Sequence, residues 1–83
     1  MGKVLTVLKI FPAEDYSLEK LQENVSKVPG CNSSKIIDYV FGSKIIQASF
    51  VCEDEQSKDF EEIVRALVEG VSEVQVEEVG LIS

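Results

Sequence analysis

An α+β sandwich, one four-stranded antiparallel sheet with two helices on one face, is the architecture that three features of this sequence predict. Lys3–Pro12 and Lys44–Cys52 alternate with a period of two, and Leu18–Val28 and Phe60–Val68 carry apolar residues at three- and four-residue spacings. These segments and two shorter strand-like ones follow in the order β-α-β-β-α-β, which as a split βαβ unit puts the first and third strands in the middle of the sheet. The arrangement is the ferredoxin-like one. With 83 residues and no linker-like stretch, the chain is expected to form a single domain over residues 1–83.

In the first segment Val4, Thr6, Leu8 and Ile10 fall on one side and Leu5, Val7, Lys9 and Phe11 on the other. Pro12 to Ser17 is turn-like, and Ser17 is placed to cap a helix over about Leu18–Lys27, with Leu18, Leu21, Val25 and Val28 as its apolar stripe. Pro29 and Gly30 end that helix. Cys31–Ser34 reads as a polar connection and Lys35–Val40 as the second strand, after which Gly42 permits a tight reversal. The third strand has Ile46, Ala48, Phe50 and Cys52 on one face and Ile45, Gln47, Ser49 and Val51 on the other, more polar face. A second helix carries Phe60, Ile63, Val64, Leu67 and Val68 towards the core, with acidic residues in its first turn favoured by the helix dipole and Gly70 at its end. Val74 and Val76 then alternate with Glu73, Gln75 and Glu77 in a last strand.

Charge and composition remove several function classes. Fifteen acidic residues against eight basic ones give a net charge of -7, which repels a phosphate backbone and forfeits the counterion release that drives most nucleic-acid binding. No direct contact with nucleic acid is expected. The longest apolar runs fall far short of the roughly 20 residues that span a bilayer, and no basic, apolar and cleavable leader is visible, so no membrane contact is expected. Cys31 and Cys52 are far apart in a sequence without histidine and form neither a zinc motif nor a Cys-x-x-Cys pair. They read as reduced thiols, Cys52 on a strand and Cys31 in a loop, which points to the cytoplasm.

Residues that suggest chemistry do not converge. Glu53, Asp54 and Glu55 lack the glycine-interrupted loop of a calcium site and read as a solvated helix start. Neither a Gly-x-Gly-x-x-Gly nor a Gly-x-x-x-x-Gly-Lys pattern is present, so the chain is not expected to hold a nucleotide, a metal or any other cofactor. An acylphosphatase-type enzyme would need an arginine and asparagine phosphate cradle, whereas the sole arginine, Arg65, lies within the second helix pattern.

A binding geometry follows from the predicted topology. The reversal at Phe41-Gly42 and the carboxyl terminus fall at opposite ends of the sheet, roughly 20–25 Å apart for strands of about seven residues. Phe41 is a large aromatic where a turn residue is ordinarily polar, so it either anchors a partner or folds back over the edge of the core. The face without helices carries Leu5, Val7, Phe11, Ile45 and Val51 among Lys9, Gln47 and Ser49, a mixed surface suited to a partner or to a second copy.

Met1–Pro12 resembles the start of the archaeal elongation factor 1-beta proteins. Phe41-Gly42, Lys44–Gln47 and Val51–Glu55 resemble the turn, strand and acidic turn of the exchange domain in eukaryotic members, and Val71–Val79 is similar to the family's final strand. This resemblance implies a guanine-nucleotide exchange factor that promotes GDP release from elongation factor 1-alpha without covalent chemistry, and hence a protein that is not an enzyme. One end of the domain would disturb the magnesium and phosphate site of the GTPase while the turn aromatic docks on its second domain. Carried over residue by residue, Phe41, Gly42 and Lys44 are the implied partner contacts, with Leu81, Ile82 and Ser83 as candidates by position. The sequence departs from the family at that second end, where a basic residue is replaced by the stretch Gly80-Leu81-Ile82-Ser83. The alternative reading is a ferredoxin-like ligand-sensing or oligomerising module that uses the open sheet face and the helix ends.

Overall fold

The computed structural model describes residues 2–53 and 59–81. Strand β1 (Lys3–Pro12) is followed by helix α1 (Leu18–Ser26), strands β2 (Cys31–Asp38) and β3 (Lys44–Glu53), helix α2 (Phe60–Leu67) and strand β4 (Val71–Leu81). The strands form one antiparallel sheet in the order β2-β3-β1-β4, as the sequence predicts.

The alternation in β1 sends Thr6, Leu8 and Ile10 into the interior, where they meet Ile46, Ala48 and Phe50 of β3 and Leu21, Val25, Phe60 and Val64 of the helices. The rings of Phe50 and Phe60 stack with centroids 4.9 Å apart, fixing α2 against the centre of the sheet. Both helices start where their side chains dictate: Ser17 accepts a hydrogen bond from the Lys20 amide and Asp59 one from the Glu62 amide. Arg65 ties α2 to β4 by donating to the Val74 carbonyl at 2.9 Å while also pairing with Glu61.

Four sequence-based expectations need correction. β2 begins at Cys31: the polar run Cys31–Ser34 is an edge strand in which Cys31 pairs with Phe50, Ser33 with Ser49 and Ser34 with Ala48. An edge strand does not need apolar alternation, because it is wetted along one side, and Ser33 and Ser49 here share a hydroxyl hydrogen bond of 2.7 Å. The same strand ends at Asp38, so Tyr39 and Val40 belong to the reversal. Leu67 is solvent-exposed rather than in the core, since the packed stripe of α2 is Phe60, Val64 and Val68 at four-residue spacing. Finally, β4 contains a register shift: Val7 pairs with Glu78 and Leu8 with Val76, so Glu77 is an extra residue. Because of the shift the helix-side residues of this edge strand beyond Val74 are Val76, Val79 and Leu81, and all three are exposed.

The face without helices is not uniformly open either. Ile45, expected on its mixed surface, is 1% exposed although it lies outside the helix-facing cluster. On the same open side Phe11 and Tyr39 meet edge to face with centroids 5.2 Å apart. Leu5, Val7, Phe11 and Val51 are half-buried.

Candidate functional site

The β2–β3 connection is a single turn of 3₁₀ helix over Val40–Gly42. Its closure is made by backbone groups: the Tyr39 amide donates to the Ser43 carbonyl at 2.7 Å and the Ser43 amide to the Val40 carbonyl at 3.1 Å. Two consecutive residues adopt left-handed backbone, Phe41 with φ 57° and Gly42 with φ 75°. For a phenylalanine this costs about 1–2 kcal/mol, because its Cβ crowds the following carbonyl. The Phe41 side chain gains nothing in return within this protein: it is 101% exposed. Of the two readings of Phe41, projection into solvent is the one realised, and Val40 beside it is exposed as well.

Lys44 sits at the foot of the same hairpin, opposite Asp38 in the ladder, and its ammonium lies 3.2 Å from the Asp38 carboxylate. Both side chains are largely solvated, so the pair is worth at most about 1 kcal/mol and leaves Lys44 available to another anion. Phe41, Gly42 and Lys44 thus sit together at one reversal.

Leu81 lies at the other end of the sheet. It pairs with Val4, whereas Val71 pairs with Pro12 beside the hairpin. Because β1 and β3 are each ten residues long, the two ends are roughly 30 Å apart along the strands, further than seven-residue strands would place them. The molecule is correspondingly elongated, with principal extents of 42 × 23 × 16 Å. Leu81 is 70% exposed. Ile82 and Ser83, and Asp54 and Glu55 of the acidic turn, lie outside the described residues.

Sequence reasoning placed Lys9, Phe11 and Gln47 on the open face but missed that Tyr39 and Glu77 join them beneath the hairpin. Tyr39 packs on Phe11, and the Lys9 ammonium lies 5.7 Å from the centroid of the Tyr39 ring. Lys9 is also 3.8 Å from the Glu77 carboxylate, which accepts two hydrogen bonds of 3.1 Å from the Gln47 amide. Alternation from Glu73 and Gln75, which pair with Phe11 and Lys9, puts Glu77 on this face, and the register shift that follows sets Glu78 opposite Val7. The available signal was the position of Tyr39, a second aromatic two residues before Phe41.

A fully exposed aromatic on a hydrogen-bonded turn and an exposed leucine at the far end of the sheet present apolar surface outward, the kind of feature that docking domains offer to partners. A family model for the EF-1 guanine nucleotide exchange domain matches residues 5–82, and the chain belongs to that family. Its role is therefore guanine nucleotide exchange in translation elongation, as a non-catalytic regulator of an elongation-factor GTPase. No curated protein matches the chain.

Proposed function

We propose that this chain acts in the cytoplasm as an archaeal-type elongation factor 1-beta and promotes GDP release from elongation factor 1-alpha by gripping it at two points. Phe41 docks on the second domain of the GTPase, with Gly42 and Lys44 shaping and charging the same contact. Leu81, with Ile82 and Ser83 as candidates by position, meets the magnesium and phosphate site from the other end. The observation that carries this reading is the full exposure of Phe41 on a strained turn. An aromatic held out at that cost, without packing at home, is accounted for by a partner pocket that buries it.

Exchange by this route needs no covalent step. The factor stabilises a GTPase conformation in which the magnesium ligands and phosphate loop are displaced, and it must itself be bound more weakly by the GDP form by the same factor.

The test is release of fluorescent GDP from elongation factor 1-alpha at fixed magnesium and excess unlabelled nucleotide. The wild-type chain is expected to accelerate release in proportion to its concentration, and Phe41→Ala to lower that acceleration at least about 30-fold, the equivalent of a hot-spot loss of about 2 kcal/mol. Absence of acceleration by the wild-type chain would refute the reading.

A further inference from the structure

We propose that Tyr39 is a positioning residue for the exchange contact, its ring held by Phe11 and Lys9 so that the direction in which Phe41 is presented is fixed before the partner arrives. This inference rests on the reading that Phe41 is a partner contact, and extends it to residues outside that contact.

The argument begins with what holds the turn. The side chain of Phe41 is fully exposed, and a Cβ added at Gly42 would meet nothing within 4 Å, so the outer part of the turn has no packing to define its direction. The left-handed backbone at Phe41 and Gly42 is also a strained choice, which an unrestrained turn would leave. Beyond the two backbone hydrogen bonds that close the turn, the restraint comes from its first residue. Tyr39 donates one of those bonds, and its ring sits on the open face against Phe11 at 84° between ring planes.

Phe11 belongs to the end of β1, a central strand, so Tyr39 ties the two-stranded β2–β3 ribbon to the middle of the sheet. Lys9 extends the tie. Its ammonium faces the Tyr39 ring on one side and Glu77 on the other, and Glu77 is held in turn by Gln47. The chain of contacts therefore links the hairpin to β1, β3 and the irregular part of β4. A ribbon fixed this way loses little freedom on binding, and that saving appears directly in affinity.

The experiment is a double-mutant cycle on GDP release combined with a partner-free measurement. Tyr39→Ala is expected to lower exchange acceleration about tenfold in the wild-type background and less than about twofold in the Phe41→Ala background, because its effect passes through Phe41. Tyr39→Phe, which keeps the ring, is expected to restore most of the loss. An equal loss in both backgrounds, or none in either, would overturn the proposal. In the isolated protein, amide relaxation at Phe41 and Gly42 is expected to change from rigid values to order parameters below about 0.6 in Tyr39→Ala, while the sheet stays ordered. Unchanged relaxation would overturn the proposal too. If the wild-type chain fails to accelerate exchange, the functional reading falls while the relaxation measurement still decides whether Tyr39 fixes the turn.

Discussion

Gly70 and Gly42 occupy reversals at the same end of the sheet, both with left-handed backbone, yet their surroundings are opposite. At Gly70 an added Cβ would clash with the ring of Tyr16, whose hydroxyl accepts from Asn24 of α1, and the Gly70 carbonyl accepts from the Ala13 amide at 2.7 Å. At Gly42 the same atom would meet open space. One turn is closed because the fold is built against it. The other is held open at its tip, where it displays an aromatic that the fold does not use.

Substitution separates the two roles. Gly70→Ala combines left-handed strain with overpacking against Tyr16 and is expected to destabilise the chain by about 3 kcal/mol, read as a lower urea midpoint at unchanged slope. A loss below about 1 kcal/mol would mean that Tyr16 swings aside freely and that the two turns differ less than their geometry indicates. Gly42→Ala meets no clash and is expected to cost only about 1 kcal/mol of stability, while exchange falls because the turn that presents Phe41 relaxes. Equal losses of stability at the two glycines would break the comparison.

The smallest expected effect concerns Cys31, on the edge strand. Burial pushes its thiol up, partly offset by a backbone hydrogen bond at Ser33. The folded state thus favours the protonated form: the contribution to stability is fully present below the thiol range of the unfolded chain and is lost as pH rises through the folded value. In a Cys52→Ser variant at about pH 8.5, iodoacetamide is expected to label the native protein more slowly than the urea-unfolded one. Equal rates would show that Cys31 is not shielded by the fold.

Much of the architecture was legible because it is written in local pattern. β1 alternates without interruption, Ser17 caps the first helix, and the order of elements leaves one sheet topology for short right-handed connections. The failures occur where long-range pairing overrides local signals. Asn32, Ser33 and Ser34 are turn-forming by composition and become strand because β3 offers its edge. Leu67 fits a helical stripe, but α2 covers the sheet along a narrower line. Val76 alternates correctly up to a register shift that no single-strand pattern encodes.

The candidate site divides in the same way. Phe41 stands out as a residue type unusual for a reversal and Gly42 as one that permits it, and a sequence-based reading reaches both. Lys9, Phe11, Tyr39, Gln47 and Glu77 are drawn from three strands and the β2–β3 reversal and become neighbours only when the sheet is assembled. Tyr39, the most consequential of them here, resembles a strand residue until the strand is seen to end before it.

The extra residue in β4 also bears on what this protein avoids. A sheet with two free edges can add strands from other copies, and β4 is the longer edge, at eleven residues, with exposed valines along it. The irregularity at Glu77 breaks the even spacing of amide and carbonyl groups that an incoming strand would need, and Glu73, Glu77 and Glu78 line the same stretch with negative charge. Two such edges brought together would mismatch in spacing and repel in charge, which disfavours strand addition between copies of the chain.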